Sequence, residues 1–127
     1  MERLRQRADF VAAASGVRAS SAAFGVQQRL RGDTGPARVG FTITKKVGTA
    51  TERNRIRRRL RALIASLDAD AMTPECDTVL VGRRAALHRN FSLMGDELQA
   101  SLRRLGQRKL ADGASVSRVA PKKRRDR

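Results

Sequence analysis

Arg38-Val-Gly-Phe-Thr-Ile-Thr-Lys-Lys-Val-Gly48, followed at once by Thr49-Ala-Thr-Glu52 and Arg53-Asn-Arg-Ile-Arg-Arg-Arg-Leu-Arg61, changes its hydrophobic period halfway. In the first part the period is two. Val39, Phe41 and Ile43 fall on one face, and Gly40, Thr42, Thr44 and Lys46 on the other, which predicts a strand over Arg38–Val47. Gly48 ends it. Thr49 with Glu52 fits a capping box, in which the threonine hydroxyl and the glutamate carboxylate satisfy amides at a helix start. Beyond the box, Ile56, Leu60, Leu63, Ile64 and Leu67 share an arc of about 100° on a helical wheel, the width of a core-facing stripe. The helix therefore runs to about Leu67. Asn54, Arg57, Arg58 and Arg61 lie off that arc, Arg55 and Arg59 lie further round, and Arg53 sits within it in the first turn.

Outward from this centre, Asp77–Arg83 reads as a second strand around Val79-Leu-Val81. Strand, helix, strand predicts a parallel pair, because the helix supplies the return path. Upstream, Met1–Ala8 is a basic arm, and Asp9 is positioned to cap a short helix from Phe10 to Ala14 that Gly16 ends. Ala22–Leu30 reads as a strand, and Arg31–Pro36 as a turn rich in glycine and proline. Downstream, Asp68–Glu75 is a polar loop. A last helix from Asn90 or Ser92 carries Phe91, Met94, Leu98, Leu102 and Leu105 at steps of three and four. The order α-β-β-β-α-β-α describes a small α+β sandwich, and it needs one more strand within residues 17–35 than the pattern locates. Residues 1–112 form the expected domain, and 113–127 a basic tail without periodicity that is expected to be disordered.

Charge narrows the function. The 127 residues carry 28 basic and 12 acidic side chains, a net charge of +16. Six arginines in 53–61 and a net five charges in 118–127 supply most of it, so the charge is directed and not diffuse. A concentrated basic surface attracts polyanions, of which nucleic acid is the usual one. Long apolar runs and lipidation motifs are lacking, so no membrane partner is expected. Cys76 and His88 are single and are assigned to packing or surface; one of each is too few for a zinc site or a self-sufficient catalytic centre. With no disulfide possible within the chain, a cytoplasmic location is expected.

An all-arginine helix face costs stability through like-charge repulsion at neighbouring positions. That cost makes sense if phosphates neutralise the row, because each guanidinium can grip a phosphate with two hydrogen bonds. The Gly40, Thr42, Thr44 face of the first strand is smooth and uncharged. It reads equally as the floor of a groove or as an ordinary solvated face.

The central residues closely resemble the bacterial ribonuclease P protein signature, with an RVGF-type strand, a paired-lysine turn with glycine, and an arginine-asparagine-arginine helix. The resemblance extends to Arg3-Leu4, Asp9-Phe10, Asp77, Val79-Leu-Val81 and Arg83, over the first 105 residues or so. It implies an unusual left-handed crossover around the arginine helix, where connection rules favour a right-handed one. It implies that Lys45, Lys46, Arg53, Asn54, Arg55, Arg57, Arg58 and Arg61 face RNA. Phe10, Thr42 and Thr44 match a cleft that holds the single-stranded 5′ leader of precursor tRNA. The implied partners are ribonuclease P RNA and precursor tRNA, in a ribonucleoprotein of one RNA and one protein. The RNA, with Mg²⁺, carries the chemistry, and the protein itself holds no catalytic residue, metal or cofactor. Two departures concern the cleft: Ala14 and Gln27 stand where family members often carry aromatics. Two other readings compete, a structural RNA-binding protein such as a ribosomal component and a nuclease acting without RNA. The central motif disfavours the first, and the second lacks a plausible acidic metal cluster, since Asp68, Asp70, Glu75 and Asp77 lie around one loop and read as solubilising charge.

Overall fold

The computed structural model describes residues 2–115 except 33, 34, 68–70, 73 and 74, with side chains to residue 106. Five strands and three helices follow in the order β1 (Glu2–Arg3), α1 (Arg7–Ala14), β2 (Val17–Ser20), β3 (Phe24–Leu30), β4 (Arg38–Thr42), α2 (Ala50–Ala65), β5 (Cys76–Gly82) and α3 (Phe91–Ser115). This is the expected α+β order with a two-residue strand added in front. The missing strand is β2, too short and too polar (Val-Arg-Ala-Ser) to stand out in the sequence. Of the predicted tail, 113–115 continue α3, and the rest lies outside the described residues.

The sheet order is β1-β4-β5-β3-β2. β4 and β5 are parallel, as expected for a pair joined through α2, and β3 runs antiparallel to β5. Side chains alternate between two faces. On one, Val39, Ile43, Leu80, Val26 and Phe24 meet Ile56, Leu60, Leu63 and Ile64 of α2 and Met94, Leu98, Leu102 and Leu105 of α3. On the other, Val79 packs with Leu4 and Ala13, and Phe10 and Val81 lean on them. The main core thus lies beneath α2 and α3, while α1 covers part of the opposite face.

Two elements differ from the sequence reading. The strand predicted to Val47 ends at Thr42, and Lys45–Val47 form a 3-10 turn. Alternation persists to Ile43, which is buried, but β5 pairs with β4 only as far as Thr42. Asp9 does not cap α1. The helix begins three residues earlier behind Gln6, which offers no side-chain cap, and Asp9 sits in the first turn. Its carboxylate lies 3.5 Å from Arg29 and 3.4 Å from Arg38 instead.

Those two arginines belong to a buried cluster. Asp77, on the central strand, is in register with Arg29 on one side and Arg38 on the other. Arg38 donates twice to its carboxylate, at 2.8 Å each, and Arg29 and Arg31 donate at 2.9 and 2.8 Å. Burial alone would raise the Asp77 carboxyl, but the hydrogen bonds from Arg38, Arg31 and Arg29 outweigh it and hold the group far below the usual carboxylate range. One ionised carboxylate therefore ties three strands together and, through the shared arginines, fixes Asp9 and α1. Removing one member leaves the others uncompensated in a dry site. Asp77→Asn is expected to lower stability by about 3 kcal/mol in urea unfolding at neutral pH.

Candidate nucleic-acid interface

The capping box forms as predicted. Thr49 Oγ1 accepts from the Glu52 amide at 3.1 Å, and Glu52 Oε1 accepts from the Thr49 amide at 2.9 Å. Arg84 grips the same carboxylate at 2.8 Å and also donates to the Val47 carbonyl. The start of α2 and the turn bearing Lys45 and Lys46 are thus stapled to one guanidinium. Hydrogen bonds from Arg84 and Thr49 lower the Glu52 pKa from about 4.5 to about 2. A carboxyl depressed on folding stabilises the fold above its unfolded pKa and loses that contribution as pH falls through the folded one. Glu52→Gln is expected to flatten the loss of stability between about pH 4.5 and about 2 relative to the parent chain, as read by thermal melts across that range.

From this start, Ile56, Leu60, Leu63 and Ile64 are buried, as the periodicity predicted, and the arginines divide by role. Arg58 and Arg61 are exposed, and Arg57 is half-buried with one nitrogen on Asn54 Oδ1 at 3.2 Å. Lys45 and Lys46 are exposed in the turn that precedes the helix. Arg53 is half-buried, and its Nε is enclosed without a partner among the described residues. Arg55 donates from Nε to the Leu87 carbonyl at 3.2 Å, so part of its donor capacity is spent within the protein. Arg59 goes further, donating to the carbonyls of Ala86 and Arg89 and clamping the 3-10 turn Arg84–Leu87 that leads into α3. The wheel had set Arg55 and Arg59 apart from the other arginines, and this turn is what they meet there.

On the opposite face of the sheet, the Phe10 ring lies over Gly40. A Cβ at position 40 would stand 2.6 Å from the ring, so only glycine lets it settle onto the strand. Gly16 serves likewise at the exit of α1, where a Cβ would collide with the Gln28 carbonyl at 1.9 Å. Thr42, half-buried, continues the floor beyond Phe10, and Thr44 is exposed at its rim. The face that the sequence left open between groove floor and solvated surface is thus roofed by α1 at one end and open at the other. Gly40 under Phe10 and Thr42 share this face of β4, and beyond the strand the chain runs through exposed Thr44, Lys45 and Lys46 into α2. His88 is exposed, between the Leu87 and Arg89 carbonyls held by Arg55 and Arg59, and Cys76 is buried.

Among the described residues no three potential metal ligands gather. Of the acids read as solubilising charge, Asp77 is instead buried and, like Asp9 nearby, held by guanidinium groups, while Asp68 and Asp70 lie outside the described residues. No described helix is long and apolar enough to cross a membrane. A basic helix seated on an α+β sheet is the surface pattern of a nucleic-acid-binding module.

The particular family follows from comparison. The profile of the family described as Ribonuclease P matches residues 1–106. The chain is 41% identical over 107 residues to the ribonuclease P protein component of Gluconacetobacter diazotrophicus, covering 84% of this chain and 92% of that one. It is 36% identical over 127 residues to the component from Brucella melitensis, covering 94% and 90%. Among solved structures, the RNase P protein from Thermotoga maritima superposes with a TM-score of 0.68 at 27% identity, over 82% of this chain and 97% of that one. The Staphylococcus aureus RNase P protein gives 0.63 at 22% identity over 86% and 95%, a likeness of fold. The chain belongs to the ribonuclease P protein family. The topology matches those structures, with which the expected left-handed crossover is consistent.

Arg58 and Arg61 stand off the apolar seam and are exposed, so reversing their charge leaves folding intact. Arg58→Glu with Arg61→Glu is expected to weaken binding to ribonuclease P RNA by roughly a hundredfold with an unchanged melting temperature, as read by filter binding beside thermal denaturation.

Proposed function

We propose that this chain is the protein subunit of a ribonuclease P ribonucleoprotein, one protein with one RNA, that supports endonucleolytic removal of the 5′ leader from precursor tRNA. The observation that carries the reading is the continuity of two surfaces through one strand. β4 carries Gly40 beneath the Phe10 ring, and the chain then passes through Lys45 and Lys46 into the arginine helix. In this reading Lys45, Lys46, Arg53, Asn54, Arg55, Arg57, Arg58 and Arg61 meet RNA, and Phe10, Thr42 and Thr44 receive the single-stranded leader. Residues 1–112 form the binding unit, and the basic tail 113–127 adds non-specific attraction.

The physical division of labour is simple. Guanidinium groups stay protonated at neutral pH and make poor general bases, so the protein's arginines bind and screen while the RNA reacts. Each phosphate they neutralise releases condensed counterions and makes assembly salt-dependent. Mg²⁺ belongs to the RNA partner, where it neutralises phosphate charge and supports the cleavage step. Screening by the protein then matters most when Mg²⁺ is scarce, and a cytoplasmic particle fits a chain with a single buried thiol. In a test with the cognate RNA at low Mg²⁺, adding the protein is expected to accelerate leader removal several-fold. An unchanged rate overturns the reading, and cleavage by the protein without RNA overturns the division of labour.

A further inference from the structure

α1 roofs only part of its face of the sheet. Phe10 lies over Gly40, and Asp9 reaches Arg29 and Arg38, so the rows through Asp77 and Val79 are covered. The next row outward is Thr42–Val81–Gly25–Ser20, each residue in register with the next across β4, β5, β3 and β2. It holds two hydroxyls, a valine and a glycine, which leaves a shallow uncharged floor.

Arg83 belongs to this row's face. It follows Val81 by two residues in extended backbone, with φ −120° and ψ 161°. Its Nη2 lies 3.5 Å from where a Gly25 Cβ would stand. Nη1 donates to the Ser21 carbonyl at 2.6 Å, and Nη2 to Ser20 Oγ at 3.2 Å. The guanidinium is therefore laid against the β2–β3 hairpin and held there by neutral acceptors. Arg29, Arg31 and Arg38 share Asp77, Arg84 takes Glu52, and Arg89 takes Glu97. Arg83, exposed like Arg84, has no carboxylate partner among the described residues.

The flat surfaces available on this face are few. Of the four phenylalanines, Phe24 and Phe41 pack into the core on the opposite side, and Phe91 opens α3. Phe10 alone faces the channel. Single strands gain affinity by stacking bases on aromatic rings or on guanidinium planes. By strand spacing and rise, Arg83 stands about 12 Å from Phe10, far enough to meet a different nucleotide.

We propose that Arg83 is a leader-binding residue of this chain, its guanidinium plane forming a second stacking platform at the open end of the channel. The occupant is a nucleobase of the single-stranded 5′ leader, and the N–H groups not used on Ser20 and Ser21 face the neighbouring phosphate. The proposal rests on the leader-channel reading above. It accounts for how a chain with Ala14 and Gln27 in place of aromatics still holds a leader.

The test uses the holoenzyme, this chain with ribonuclease P RNA. Precursor tRNA with a leader of about eight nucleotides is compared with one bearing a single-nucleotide leader, too short to reach Arg83. Arg83→Ala is expected to raise KM for the long-leader substrate roughly tenfold and leave the short-leader substrate unchanged. Arg83→Lys, which keeps the charge and loses the plane, is expected to behave like Arg83→Ala, and a long abasic leader to erase the difference from the parent chain. Equal effects on both substrates would show a role in fold or RNA assembly and overturn the proposal. So would no effect on the long leader, or full activity in Arg83→Lys. If the parent holoenzyme treats both leaders alike, the channel reading itself falls. A parent preference that survives Arg83→Ala removes the Arg83 assignment alone.

Discussion

A row of like charges on a helix must be held by something other than itself, and here the holding force is the apolar seam of Ile56, Leu60, Leu63 and Ile64. These side chains are buried against β4, β5 and α3, and each leucine or isoleucine so buried is worth about 2–5 kcal/mol against its alanine variant. That exceeds the few tenths of a kcal/mol lost at each like-charged pair on the outer side. The helix can therefore present Arg57, Arg58 and Arg61 to a polyanion without depending on the polyanion to fold. The capping box and Arg84 complete the arrangement by holding the first turn of α2 against the lysine turn.

On the other side of the sheet, the same logic of neutralisation runs inward. Asp77 is fully buried and ionised because three guanidinium groups converge on it, and two of them continue to Asp9 on α1. This cluster sets the height of α1 above the sheet and hence of Phe10 above Gly40. Arginine serves two purposes in this chain. Where a carboxylate or a set of turn carbonyls waits, as for Arg38 and Arg59, it locks elements together, and where none does, as for Arg58 and Arg61, it faces solvent.

Which arginine does which was only partly legible. The wheel correctly put Arg57, Arg58 and Arg61 off the seam, because periodicity reports on a helix's own faces. It separated Arg59 from them but could not reveal its carbonyl partners, since those lie in a turn 27 and 30 residues away. Asp9 read as a cap because an acid just ahead of an apolar residue usually is one; its ion pairs depend on strands distant in sequence. The strand through Arg38–Val47 was overextended because alternation continues to Ile43 even where no neighbour remains to pair with.

The amino-acid order by itself determined the α+β class, the capping box, the amphipathic α2 and the concentration of positive charge, because these are set by residues within a few positions of one another. The tertiary structure alone decided that Asp77 would gather Arg29, Arg31 and Arg38, that Phe10 would settle on Gly40, and that Arg83 would lie unpaired by acid across the β2–β3 hairpin. The first and last join residues brought together by strand register, the second by packing of α1 on the sheet, and register is fixed by burying one face of the whole sheet at once.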